Sequence, residues 1–195
     1  MLTGGDTPRR AYELAAEEEG DWSRVELWWG DERCVPPEDE RSNYRLAKEA
    51  LLDRLERQPR AVHRIPGEAD AAKAASSYED ELRGVTFDLV LNGLGPDGHT
   101  ASLFPQAPTL AIRDRLVVPA EPKLDPYVER ITLTLPALAN CREMLFLAVG
   151  EQKAKAARRA FADPPSVATP ASLVRSAAGE TIAVLDPAAA AALTP

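Results

Sequence analysis

The chain has 195 residues, with 23 Lys and Arg against 31 Asp and Glu, a formal net charge of −8. That balance argues against a phosphate-backbone binder, which shows a basic patch or stripe. Hydrophobic content of 45% and charged content of 28% suit one globular domain, residues 1–195, with a single sizeable core. No apolar run approaches the ~20 residues needed to cross a bilayer. The first residues lack the charged and apolar regions of a secretory leader. Cys34 and Cys141 match no metal or redox spacing, so reduced thiols in the cytoplasm are expected.

The chain opens MLTGGDTP. A trace of strand, Met1-Leu2-Thr3, meets a Gly-Gly turn and then Thr7-Pro8, which suit an N-cap and a first helical position. Strand, glycine turn and helix start together make an anion cradle. The alternative is a glycine-rich tail that only caps a helix. Asp6 counts against the cradle unless its carboxylate turns away.

VELWW (25–29) reads as a strand, and GDERCVP (30–36) as the loop at its carboxyl end. Open α/β sheets place ligands in such loops. Asp31-Glu32-Arg33 read equally well as a solvated turn. SNYRLAKEALLDRLE then predicts a helix capped by Ser42, with Leu46, Ala50, Leu51 and Leu55 on one face. His63, in AVHRIPG, reads as structural or solvent-facing. EADAAKAASSYEDEL predicts a second helix.

FDLVL (87–91) is the next strand, and GLGPDGHTASLFP (93–105) follows it. Gly93, Gly95 and Gly98 permit backbone geometry closed to other residues. A helix is expected to start at or beside Thr100. An imidazole at a helix N-terminus feels positive potential and favours its neutral form, which a general base needs near pH 7. The alternative for His99 is a surface histidine in a loop.

RLVVPA (115–120) and RITLTL (130–135) are weaker strand signals; MLFLAV (144–149) and TIAVL (181–185) are clear ones. EQKAKAARRAFA lies between the last two and predicts a helix. Lys153 in its first turn opposes the helix dipole unless it faces an anion there; a solvated lysine is the other reading. The Ala-rich tail (186–195) reads as a short helical turn or a frayed end. Short apolar runs alternating with helices predict an α/β fold: a mostly parallel sheet with helices on both faces.

Taken together, GGDTP, GDER with SNY, LGPDGHTASLFP, ERITLT and GEQKA occur in the order seen in 6-phosphogluconolactonases, which share a superfamily with glucosamine-6-phosphate deaminases. The resemblance runs from Leu2 to about Leu185, and DGHTASLFP is its most specific piece. It implies a modified doubly wound α/β fold and hydrolysis of a sugar-phosphate lactone, 6-phospho-D-glucono-1,5-lactone, in the oxidative pentose phosphate pathway. No metal and no organic cofactor is implied. Neither nucleic acid nor membrane is an expected partner, and a monomer is expected.

By the same resemblance His99 is the catalytic acid/base. Gly4, Gly5, Asp6 and Thr7 form the phosphate loop. Arg33, Arg130 and Lys153 are the cations for the phosphate and the sugar oxygens. Asp31 and Asp97 are expected to orient Arg33 and His99. Ser102 and Cys34 have no base of their own and read as structural. Deaminase relatives also carry DGH but continue toward a glutamate that partners the histidine; here Thr100-Ala101-Ser102-Leu103-Phe104-Pro105 follow. A deaminase or isomerase of the same fold, and a non-catalytic sugar-phosphate-binding module, are the rival readings. Two features depart from the family pattern. Asp6 stands where a small hydroxyl residue is frequent. Only Met1-Leu2-Thr3 precede the glycine turn, so the first strand is expected to be cut short, with apolar surface uncovered on its neighbours.

Overall fold

Fourteen helices and strands follow one another in a computed structural model that describes residues 1–18 and 20–193. They are α1 (Asp6–Glu17), β1 (Glu26–Trp28), β2 (Asp31–Arg33), α2 (Asn43–Ala50), β3 (Ala61–His63), α3 (Ala71–Leu82) and β4 (Phe87–Gly93). Then come β5 (Val117–Ala120), β6 (Arg130–Leu133), α4 (Leu135–Ala139), β7 (Cys141–Ala148), α5 (Ala154–Phe161), β8 (Thr181–Leu185) and α6 (Pro187–Ala190). No helix among the described residues is long and apolar enough to cross a membrane.

The apolar runs form parallel ladders, because helical crossovers return each strand in the same direction. β4, β7 and β8 are parallel neighbours, and so are β1 and β3. Met1 and Leu2 join the two groups. The Leu2 N–H donates to Trp28 O at 2.7 Å, while the Leu91 N–H donates to Met1 O at 3.1 Å. The sheet therefore reads β3, β1, a two-residue stub, β4, β7, β8.

Three expectations need correction here. GDER is not a loop. After a break at Gly30 it becomes β2, antiparallel to β6, which is antiparallel to β5. Burial explains this: Asp31 and Glu32 are both buried, and their backbone groups are satisfied by pairing with β6. Thr7 is not the N-cap of α1. Gly5 takes that place at φ 107°, a conformation that favours glycine, and the helix starts at Asp6. β3 and α4 were not expected at all; AVH and LPALA are too short for a periodicity to show. The caps at Ser42 and Asp70 do form, their side chains accepting from Arg45 N and Lys73 N.

The buried apolar residues form one cluster, with Trp29, Tyr78, Ile65, Val90, Met144 and Phe146 inside it. Burying each such side chain is worth about 1.5–3 kcal/mol. Tyr78 also anchors β1, its hydroxyl accepting from Trp29 N at 2.8 Å. His63 stacks on Trp28 with ring centroids 3.8 Å apart and has no part in the cleft described below. On β4, β7 and β8 the helix cover is incomplete. Val90, Met144 and Phe146 are buried on one face, while Leu89, Ile182 and Val184 on the other are exposed. Both thiols are free. The alanine tail forms α6; Thr194 and Pro195 lie outside the described residues.

Candidate active site

Four strand ends meet at one edge of the sheet: the turn after Leu2, β2, the loop after β4 and the turn after β7. Between them lies a cleft of about 180 Å³. Gly4 and Gly5, Arg33, His99, Arg130 and Lys153 line it, with Asp31 in its wall. Asp6 is exposed and Thr7 half-buried, and neither side chain lines the cleft.

His99 is held by its own loop. Asp97 Oδ1 lies 2.6 Å from His99 Nδ1 and accepts the His99 backbone N–H at 3.1 Å. An ionised carboxylate only accepts, so Nδ1 carries the proton and the Nε2 lone pair is left for chemistry. Gly98 sits at φ 98°, and Gly95 leaves no room for a side chain: a Cβ there would fall 2.1 Å from His99 Nδ1. The turn is closed by Gly98 N to Gly95 O and Gly95 N to His99 O, both 2.9 Å. Burial pushes the Asp97 carboxyl upward, but the His99 ring and N–H outweigh it and hold it below its ordinary value.

No helix starts at Thr100. Ala101 adopts φ 48°, Thr100 and Leu103 form an isolated bridge, and Ser102, Leu103 and Phe104 enter the core. The next helical turn is a 3-10 turn at Pro108–Ala111. His99 therefore lies in a turn rather than at the start of a helix. Its orientation comes from Asp97 and from Phe104, whose ring centroid is 5.1 Å away.

Arg33, Arg130 and Lys153 form no ion pair among the described residues. Arg33 is steadied by Nη1 donating to Arg41 O at 2.5 Å. Arg130 Nη2 donates to Pro126 O at 3.0 Å, and its guanidinium lies over the Phe104 ring. The Nε of both arginines is buried without a partner among the described residues. Burial, then the nearby Arg33, lowers the Arg130 pKa; burial lowers that of Lys153 against the opposing pull of Asp97. Three unpaired cations in a net-acidic chain make a local site for an anion. The first N–H groups of α1, which lack intrahelical acceptors, add to it.

Asp31 does not hold Arg33. Its Oδ2 accepts from Ser102 Oγ at 2.6 Å, and its Oδ1 and backbone O accept from Asn43 Nδ2 at 3.1 and 2.9 Å. Ser102 is thus fully buried and engaged, as a structural residue should be.

The family model described as glucosamine-6-phosphate isomerases/6-phosphogluconolactonase matches residues 1–183. The chain belongs to this family. A 6-phosphogluconolactonase of Streptomyces coelicolor is 39% identical over 188 residues, covering 89% of this chain and 72% of that protein. The crystal structure of a 6-phosphogluconolactonase from Thermotoga maritima superposes with a TM-score of 0.85 at 36% identity, covering 95% of this chain and 84% of that one. A monomeric glucosamine-6-phosphate deaminase gives a TM-score of 0.82 over 98% of this chain and 86% of its own, at 20% identity, a likeness of fold alone.

Within this family member the cleft also holds residues that sequence reasoning did not single out: Thr3, Asn43, Leu94 and Ala101 among them. Asn43 had a signal, since it is the middle of SNY. Nothing in its spacing said that its side chain would reach 12 residues back to Asp31. For Glu32 the sequence leaves a solvated turn and a ligand loop equally open. Glu32 is buried, and it accepts from Ser42 Oγ and from the N–H groups of Arg33, Asn43 and Tyr44.

Proposed function

We propose that the cleft hydrolyses 6-phospho-D-glucono-1,5-lactone to 6-phospho-D-gluconate, the step of the oxidative pentose phosphate pathway that opens the lactone. One observation carries this reading: an Asp97-oriented imidazole shares a cleft of about 180 Å³ with three cations that have no ion-pair partner among the described residues. The relatives named 6-phosphogluconolactonase support the choice of substrate.

A lactone carbonyl is already electrophilic, so it needs an activated water and stabilisation of the oxyanion. His99 Nε2 takes a proton from water as the oxygen attacks C1. The tetrahedral intermediate collapses with cleavage of the bond from C1 to the ring oxygen, and the imidazolium returns its proton to that oxygen. The carboxylic acid so formed loses its proton to solvent. Asp97 keeps the ring in the required tautomer and stabilises the imidazolium. Gly4, Gly5, the first turn of α1 with Asp6 and Thr7, Arg33, Arg130 and Lys153 bind the phosphate and sugar oxygens. Asp31 acts through Ser102 and Asn43 rather than on substrate. The whole chain, residues 1–195, serves as one lactonase domain, a cytoplasmic monomer with no nucleic-acid partner.

The test is to generate the lactone in situ and follow its loss with wild type and His99→Ala. A fall in kcat of about 10²–10⁴ is expected for loss of acid–base help. Little change defeats the assignment. Ammonia release from glucosamine 6-phosphate would favour a deaminase instead.

A further inference from the structure

A chain of buried polar groups runs inward from Asp31 and Asn43 in the cleft wall, and none of them reacts in the hydrolysis above. Asp31, Glu32, Ser42, Asn43, Ser102 and Thr132 are all at most 4% exposed. Buried hydrogen-bond networks fix the geometry of the groups they join.

We propose that Asn43 is a positioning residue that sets the spacing between the anion-holding Gly4–Gly5 turn and the His99 imidazole. This rests on the lactonase reading. One side chain touches both halves of the site. On one side its Nδ2 donates to Asp31 O at 2.9 Å and Oδ1 at 3.1 Å, and Asp31 Oδ2 accepts from Ser102 Oγ at 2.6 Å, three residues beyond His99. On the other side lies Gly4. A Cβ on Gly4 would meet Asn43 Oδ1 at 1.9 Å, so the glycine turn rests against this amide.

The amide cannot flip. Asp31 presents only acceptors, so Nδ2 must face it, and Oδ1 must face Gly4. Oδ1 is buried without a partner among the described residues, so its place is dictated from the Asp31 side. The backbone is pinned as well. Glu32 Oε1 accepts the Asn43 N–H at 2.7 Å, and Oε2 accepts the Tyr44 N–H at 2.7 Å. The same carboxylate accepts the N–H of Arg33, so one anchor holds a cleft cation and Asn43 together. An aspartate at 43 would set acceptors against Asp31, and an alanine would leave the turn unsupported and Asp31 short of two donors.

Spacing matters because the phosphate lies at one end of the substrate and C1 at the other. Binding far from the reacting carbon helps only if C1 then falls on the imidazole. Removing Asn43 should misplace C1 while leaving the anion donors present.

The experiment compares wild type and Asn43→Ala by kcat on the phosphorylated lactone, by the inhibition constant of inorganic phosphate, and by urea midpoint. Loss of alignment predicts a fall in kcat of about 10–100-fold. The phosphate inhibition constant should stay within about threefold, because the donors to the anion remain. An unchanged kcat overturns the proposal. So does an equal loss of kcat and of phosphate binding, which would make Asn43 a plain prop for the turn, or a wild type that phosphate does not inhibit. If Asn43→Ala does not fold, Ser102→Ala cuts the same chain at its other end and must show the same split. A wild type inactive on the lactone defeats the functional reading itself; an active wild type with an unsplit variant defeats this inference alone.

Discussion

Asp97 meets His99 twice, at Nδ1 over 2.6 Å and at the backbone N–H over 3.1 Å. The two residues are separated only by Gly98, whose φ of 98° turns the carboxylate back onto the ring. Asp97→Asn keeps the shape and removes the charge that stabilises the imidazolium. It should lower kcat by about 10²–10⁴ with KM little changed. Steady-state kinetics on the in situ lactone checks this.

The same pair predicts an acid limb in stability. Burial raises the Asp97 carboxyl and His99 more than offsets it, so the folded-state pKa lies below the unfolded one. Such a group stabilises fully above its unfolded pKa, and that contribution is lost as pH falls through the folded pKa. The Tm gap between wild type and Asp97→Asn should therefore narrow below about pH 4, the ordinary carboxylate range. A gap that stays constant from pH 7 to pH 3 would count against the ion pair.

Lys153 is half-buried at the cleft and has no carboxylate partner among the described residues. Lys153→Ala should raise KM about tenfold or more, the worth of a charge-assisted hydrogen bond, and change kcat less. An unchanged KM would show that the lysine faces only solvent.

Gly95→Ala isolates sterics from backbone strain, since Gly95 is not among the positive-φ glycines. Its new Cβ would lie 2.1 Å from His99 Nδ1 and 2.7 Å from Asp97 Oδ1. The imidazole must move by about an ångström, which can cost roughly 10²-fold in rate. Circular dichroism should show an intact fold; a fully active variant would mean that the loop adjusts freely.

Asn92 on β4 is buried, and neither its Nδ2 nor its Oδ1 has a partner among the described residues. An orphaned buried amide costs about 1–3 kcal/mol. Asn92→Leu, similar in size, should raise the urea midpoint by a corresponding amount without affecting kcat. A less stable variant would reveal an ordered water or another partner on the amide.

Much of this molecule was legible before its coordinates. The apolar runs 87–91, 144–149 and 181–185 became β4, β7 and β8, because short apolar runs between helical patterns suit a parallel sheet. Ser42 was legible as a cap, and the order of GGDTP, GDER, DGHTASLFP and GEQKA pointed to one site. What misled was local in kind. Asp31-Glu32-Arg33 read equally well as a ligand loop or a solvated turn, and Thr100 as a helix start. Charge and capping rules describe a segment against water, whereas both segments were decided by neighbours distant in sequence: β6 for Asp31–Arg33, and the core for Ser102 to Phe104.

By itself, the sequence determined which chemistry the chain carries, since residue types and their order along strand ends are written in it. Only the tertiary structure decided how those groups act on one another. Asp31 reaches Ser102 across 71 residues, and Asn43 leans on the Gly4 turn. Such contacts depend on where buried strands bring side chains, and no local periodicity encodes that distance.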